Sequence, residues 1–334
     1  MKLSTLSSFK LGGDATRNVT ITTERALRSA VLESKHLNLP FHVVGKGTNT
    51  IFHHEKVDRY IIINALPWFD IVAHTDDHEI LRVGAGEHWD DVVKYAVEHH
   101  LSGIEAMSAI PGSTGAAPVQ NIGAYGQEIK DTLEQVRVYD TEKDEFITLS
   151  NSDCKFGYRE SVFKHEPNRY IITYVYLRLS KAAPQLPQYP GVKEYFEKHQ
   201  LNQTHPSLID IRNAITEIRK SKLPDPSIVP NCGSFFKNAI VSKEHFETIQ
   251  KQYPTVPHFP SGNEIKISTG WLLEQAGFKD KDFGNFKTHD KNALVMTHIG
   301  DGTLDELKAV VQEIQHKVKE MFGVEIEMEV NVVE

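Results

Sequence analysis

Several segments of this sequence combine residue types and spacings that could do chemistry. Gly45-Lys46-Gly47-Thr48-Asn49 directly follows an apolar run ending at Val44. Glycines placed just after a strand let backbone N–H groups close on a pyrophosphate and form an anion-binding concavity. The pattern is neither GxGxxG nor GxxxxGK followed by Ser or Thr, so it is not a Rossmann fingerprint or a P-loop, and a plain β-turn explains it equally well. The stretch from Ile110 through Pro111, Gly112 and Ser113 to Gln120, Asn121, Ile122 and Gly126 is more specific, being nearly free of charge and holding four glycines. Small residues allow close backbone approach, and the Gln120 and Asn121 amides suit the edge of an isoalloxazine or a ribityl chain.

Phe156-Gly157-Tyr158-Arg159-Glu160-Ser161 sets an arginine among aromatics. A guanidinium there either grips a carboxylate with two parallel hydrogen bonds or pairs with Glu160. Lys222-Leu223-Pro224-Asp225-Pro226 leads into Asn231-Cys232-Gly233-Ser234-Phe235-Phe236-Lys237-Asn238. Ser234 lacks a GxSxG elbow, which argues against hydrolase chemistry and leaves an uncharged hydroxyl in a dry pocket.

These segments need elements to position them. Apolar periodicity predicts a helix from about Thr23 to Ser34, strands at Phe41–Val44, Tyr60–Ile63 and Ile80–Val83, and a helix from His88 to His99. A long loop from Ser102 to Asp131 has no hydrophobic period of its own, and loops of that length are usually functional. Strands are expected at Gln135–Tyr139, Glu145–Leu149 and Tyr170–Leu179. Pro184, Pro187 and Pro190 punctuate the chain before a helix carrying Leu208, Ile211, Ile215 and Ile218. A later helix opens on the capping box Thr303-x-x-Glu306 and stops at Gly323. Val324, Ile326, Met328, Val330 and Val332 then alternate with Glu325, Glu327, Glu329 and Asn331, which reads as one regular strand with an acidic face.

At 334 residues the chain is long enough for more than one core. A net charge of −8 with no dense basic run argues against a nucleic-acid footprint. Nowhere do about 18 apolar residues run together, and no signal-peptide core is visible, so a soluble cytoplasmic protein without membrane association is expected. Cys154 and Cys232 are expected as reduced thiols. The 17 histidines form no metal-ligand pattern. His74 and His78 flank a polar turn and are expected on the surface, and no metal is expected.

Taken together and in this order, IPGSTGAAPVQNIGAYG at Ile110–Gly126, FGYRES at Phe156–Ser161, KLPDP at Lys222–Pro226 and NCGSFFKN at Asn231–Asn238 resemble the UDP-N-acetylenolpyruvoylglucosamine reductases, of the type with a tyrosine loop. The resemblance covers nearly the whole chain. It implies an α+β protein: an FAD-binding fold of the vanillyl-alcohol-oxidase or PCMH type, followed by a separate α+β substrate-binding domain. The implied segments are 1–70 and 71–182 for FAD, 183–204 for the tyrosine loop and linker, and 205–334 for substrate. The implied activity belongs to peptidoglycan precursor synthesis: NADPH reduces FAD, and the flavin reduces UDP-N-acetylglucosamine enolpyruvate. Arg159 and Glu329 match the positions that stabilise the enolate, and Ser234 matches the proton donor. Lys222, Asn238, Asn292, Tyr125 and Tyr189 match substrate-contacting positions, with Tyr189 on the loop that closes over UDP. A monomer is expected. Ser7-Ser8-Phe9 departs from the family's Asn-Thr-Phe, and Asn292 stands where some members carry Gln. Glu329 is chosen over Glu327 by the match to a Glu-Val pair, because periodicity alone puts both on one face. The rival readings are another FAD oxidoreductase of the same cofactor fold and a module that binds flavin or a nucleotide sugar without turnover.

Overall fold

A computed structural model describes all residues, Met1–Glu334. The chain divides into two compact units that alternate along it. The terminal unit comprises Met1–Asp14, Gly47–Val57 and Ser221–Glu334, and the middle unit comprises Ala15–Lys46 and Asp58–Lys220. The segment boundaries expected at 70, 182 and 204 all fall inside the middle unit. The units are defined by long-range packing, which sets the first 14 residues and 47–57 apart from their sequence neighbours.

In the middle unit, Val57–Asn64 lies between Ala15–Ile21 and Phe41–Val44, and pairs in parallel with the latter. The helix Glu24–His36 starts where the Thr23 side chain accepts from the Ala26 N–H at 3.1 Å. Its inner face, Leu27, Ala30 and Val31, packs on Ile21 and Ile62 and on Tyr139 and Ile171 of a second sheet. That second sheet is antiparallel and runs in the order Glu145–Ser150, Leu133–Asp140, Tyr170–Ser180, His78–Gly84, Phe69–His74. Trp89, Val92, Val93 and Ala96 of the helix Trp89–Glu98 cover it, with the stretch from Ile104 to Ile129 filling the remaining face. The expected loop is thus an ordered chain of short 3-10 turns at Glu105–Met107, Thr114–Ala116, Pro118–Gln120 and Ile129–Asp131. It lacks a hydrophobic period because no turn is long enough to have one.

The region expected as a Pro-punctuated loop holds the helix Pro190–Lys198. Pro190 occupies its first turn, where a missing N–H is harmless, and Val192 and Phe196 bury one turn apart against Leu186, Ile211 and Ile215. This i, i+4 pair was legible beneath the prolines.

The terminal unit has two three-stranded sheets, Asn231–Ser234 with Val295–His298 and Phe286–Thr288, and Ala239–Val241 with Glu264–Ile267 and His258–Ser261. The helix Leu304–Phe322 lays Leu307, Val311, Ile314 and Val318 on a core containing Phe9, Phe235, Phe236 and Phe286. Its capping box forms as read, with Glu306 N–H to Thr303 at 3.2 Å and Thr303 N–H to Glu306 at 2.8 Å. Gly323 closes it at φ 66°. The regular final strand does not extend over 324–332. Only Asn331–Val333 forms a ladder, parallel to Thr50–Phe52. The preceding residues are extended but meet single partners: the Ile326 carbonyl accepts from Gln315 at 2.8 Å, and Met328 bridges Phe236. The alternation arises from one face packing on the helix Leu304–Phe322, and needs no sheet.

Candidate active site

The two glycine-rich loops of the middle unit touch. A Cβ on Gly45 would lie 2.0 Å from Ser113 Oγ and 3.0 Å from Ser113 Cβ, so no side chain fits at that strand end. The partner loop is seated on the turn Gly84–Glu87: Thr114 N–H donates to Glu87 and Gly115 N–H to Ala85, at 2.8 and 2.9 Å. A Cβ on Gly115 would meet Ala85 at 2.4 Å. Trp89 N–H donates to the Gly112 carbonyl at 3.1 Å, linking the loop to the start of the helix Trp89–Glu98. Pro111 is exposed, Gly112 and Ser113 are buried, and Lys46 points to solvent. This close packing of loop on loop fixes the backbone at the strand end, and fixed, glycine-rich main chain is what a pyrophosphate or an isoalloxazine edge needs in order to come close. In the terminal unit Gly47, at φ 66°, leaves no room for a Cβ, which would stand 2.1 Å from the Leu6 carbonyl. Thr48 and Asn49 follow there, with Ser8 Oγ donating to the Thr48 carbonyl at 3.3 Å.

Asn121 departs from its expected role. Its side chain is wholly buried, with Nδ2 donating to the Gly157 carbonyl at 2.9 Å and to Glu128 at 3.2 Å, and Oδ1 accepting from Lys130 N–H at 3.2 Å. The amide expected to meet a flavin is therefore committed to protein partners. Ile122 likewise packs into the middle-unit core, while Gln120 is half-buried at the end of its 3-10 turn. What Asn121 organises is Arg159. FGYRES makes a tight turn in which Gly157 and Glu160 exchange N–H and carbonyl, and Arg159 sits at φ 56°. The guanidinium donates to the carbonyls of Asn121 at 3.3 Å and Gly123 at 3.0 Å, with Tyr158 beside it at 5.4 Å. Glu160 also approaches Lys164 at 3.6 Å.

Tyr125, at φ 51°, meets Tyr189 edge to face with centroids 4.9 Å apart. Arg219 on the helix Leu208–Lys222 belongs to this cluster and was not singled out in the sequence; only its place on the polar side of an amphipathic helix hints at it. Burial pushes the Tyr125 phenol up and the Arg219 guanidinium down.

In the terminal unit, Gly233 at φ 71° bulges the strand before Ser234, and its N–H caps onto Asn231 Oδ1 at 2.9 Å. Asn231 was also missed. Its Nδ2 donates to the carbonyls of Pro224 at 3.1 Å and Val229 at 2.8 Å, which fastens KLPDP to NCGS and explains why the two strings occur together. Ser8 Oγ donates to the Asn231 carbonyl at 2.7 Å, so the Ser7-Ser8-Phe9 segment is bonded to the strand that leads to Ser234. Asn238 Oδ1 accepts from Thr269 N–H at 3.1 Å, Asn292 Oδ1 from Leu294 N–H at 3.1 Å, and Lys222 is exposed at its helix end. Glu329 N–H donates to the Phe235 carbonyl at 2.8 Å, one residue from Ser234, and Asn49 Nδ2 donates to the Glu329 carbonyl at 3.1 Å. Glu327 is 76% exposed and pairs with Lys237 at 3.1 Å, whereas Glu329 is half-buried. The two carboxylates that periodicity made equivalent are thus physically different.

A family model described as an FAD binding domain matches residues 16–150, and one described as UDP-N-acetylenolpyruvoylglucosamine reductase, C-terminal domain, matches residues 225–333. A UDP-N-acetylenolpyruvoylglucosamine reductase of Flavobacterium johnsoniae is 38% identical over 99% of this chain and 98% of its own length. The chain belongs to the UDP-N-acetylenolpyruvoylglucosamine reductase family. A reductase of this name from Xylella fastidiosa is 36% identical over 99% of the chain and 94% of its own. The solved UDP-N-acetylenolpyruvylglucosamine reductase of Thermus caldophilus superposes with a TM-score of 0.68 at 22% identity, covering 100% of this chain and 98% of that one, and shares its fold. As a member of this reductase family, the protein is an α+β FAD-dependent oxidoreductase.

Proposed function

We propose that this protein reduces UDP-N-acetylglucosamine enolpyruvate to UDP-N-acetylmuramate at the expense of NADPH, in peptidoglycan precursor synthesis, as a cytoplasmic monomer. The observation that carries the reading is the backbone pairing of the Ser234 and Glu329 segments, in which the Glu329 N–H donates to the Phe235 carbonyl at 2.8 Å and Glu329 is half-buried. FAD, when bound, would supply the redox chemistry, a hydride equivalent passed from NADPH to the terminal alkene carbon of the substrate. That addition builds negative charge on the substrate carboxylate as an enolate. Arg159, held in a fixed direction by two carbonyls, is the cation assigned to that charge. Glu329 in its protonated form adds a hydrogen bond to the enolate. Ser234 gives its proton to the adjoining carbon, with the basicity of the enolate driving the transfer.

Gly45, Lys46, Gly47, Thr48, Asn49, Pro111, Gly112, Ser113 and Gln120 are assigned to FAD, with Asn121 and Ile122 supporting them from behind. Tyr125, Tyr189, Lys222, Asn238 and Asn292 are assigned to the nucleotide sugar. The purified protein should show a flavin absorbance spectrum and oxidise NADPH only when the enolpyruvyl substrate is added. Absence of bound FAD would remove the reading, and flavin with substrate-independent NADPH oxidation would favour a different oxidoreductase.

A further inference from the structure

Ala109 stands at the foot of the cofactor loop, just before Ile110-Pro111, with φ 58°. This left-handed conformation is disfavoured for an alanine, because Cβ crowds the following carbonyl and no polar side chain offsets it. Both backbone polar groups of Ala109 are held from outside the loop. Its N–H donates to Asp90 Oδ1 at 2.6 Å, and its carbonyl accepts from Arg219 Nε at 3.2 Å. Asp90 lies in the first turn of the helix Trp89–Glu98 and receives Arg212 Nη1 and Nη2 at 2.8 and 2.9 Å, a two-pronged pair that fixes direction as well as distance. Arg212 and Arg219 stand two turns apart on one face of the helix Leu208–Lys222. A single helix face therefore clamps both backbone groups of a strained residue, one directly and one through Asp90. The Arg212 side chain is 15% exposed and that of Asp90 37%, so the arginine side of the pair is withdrawn from solvent.

We infer that Asp90 is a positioning residue for the cofactor loop: oriented by Arg212, it holds Ala109 left-handed so that Pro111, Gly112 and Ser113 present their backbone to the flavin. The inference rests on the FAD-binding reading above. If the clamp acts by holding Ala109, a residue that enters the left-handed region without strain should replace it.

The test is FAD affinity, measured by flavin fluorescence titration of the apoprotein, alongside the thermal midpoint of the apoprotein. Asp90→Asn is expected to weaken FAD binding about tenfold, and Ala109→Gly added to it should recover most of that loss. Arg212→Lys keeps the charge but loses the fork, so an intermediate loss is expected; it also serves if Asp90→Asn fails to fold. A merely structural ion pair would lower the apoprotein midpoint and leave FAD affinity unchanged in Asp90→Asn and Arg212→Lys, which would overturn the inference. A loss that Ala109→Gly leaves unrecovered would overturn it as well. Failure of the wild-type protein to bind FAD would count against the functional reading instead.

Discussion

Arg159 is tied to Asn121 by its Nη1, which donates to the Asn121 carbonyl at 3.3 Å, while the Asn121 side chain returns a bond to the Gly157 carbonyl at 2.9 Å. The asparagine thus holds the arginine's guanidinium and the root of its turn at once. It adopts φ 44°, a conformation that Asn tolerates better than other residues with a Cβ.

Asn121→Ala should destabilise the protein by about 2–4 kcal/mol, because the Gly157 carbonyl, Glu128 and the Lys130 N–H all lose a buried partner. A urea melt measures this directly. The same variant should slow substrate reduction more than flavin reduction by NADPH, since Arg159 loses its aim. Equal slowing of both half-reactions in stopped-flow traces would mean that Asn121 serves the flavin itself.

Glu329→Gln and Glu327→Gln should behave differently despite standing two residues apart. Glu327 is exposed and pairs with Lys237, so its neutralisation should change kcat by less than about twofold, in line with the small worth of surface ion pairs. Glu329→Gln and Ser234→Ala should each lower the rate of substrate reduction by about 10²-fold or more while sparing flavin reduction. Single-turnover measurements separate the two halves. Matching losses in the Glu327 and Glu329 variants would sink the assignment.

The comparison between these two glutamates shows where the sequence was informative and where it stopped. Period-two patterning put Val324, Ile326 and Val330 inside, and they are buried. It could not show that only Asn331–Val333 joins a ladder, or that partners change along the segment from a helix side chain at Ile326 to Phe235 and Asn49 at Glu329. The capping box at Thr303 was local and was read directly. Arg219 and Asn231 were missed because their partners, Ala109 in one case and Pro224 and Val229 in the other, are backbone carbonyls, which leave no trace in composition. For the amide of Asn121, residue type gave its donors and acceptor, and the fold shows that Gly157, Glu128 and Lys130 use them.

Neither cysteine should react in the folded protein. Burial pushes the Cys154 thiol up to about 12 and the Cys232 thiol up to about 11, the latter despite Ser8 Oγ at 3.6 Å. At neutral pH almost none of either is thiolate, and both are buried. A thiol-specific disulfide reagent should label the native protein roughly a hundredfold more slowly than the urea-unfolded chain, where both groups titrate near 8.5. Rapid native labelling of one equivalent would point to local opening around Cys154 or Cys232, which Cys→Ala variants would assign.

Stability should fall as pH drops below about 6.5, the ordinary histidine value. His298 is buried and stacks on Phe9 at 5.5 Å and on Phe286 at 5.2 Å, the two phenylalanines standing 6.0 Å apart. Its Nδ1 donates to the Phe9 carbonyl at 3.0 Å, so Nε2 is the bare nitrogen that accepts the Gly302 N–H at 3.0 Å. Protonation would destroy the second bond, and burial lowers the histidine below 6.5 in the folded state. Burial together with Arg59 lowers His42 further, to about 4. In both cases the unfolded chain binds more protons, so the stabilisation is complete above the unfolded value and is lost progressively as pH falls towards the folded ones. Each histidine contributes at most about 1.4 kcal/mol per pH unit to that slope. Urea midpoints at pH 7, 6 and 5 should therefore decline in the wild type. His42→Gln should flatten the decline between pH 6 and 5, because it removes the group with the lower folded value. An unchanged slope in that variant would show that His298 or carboxylates, and not His42, carry the acid sensitivity.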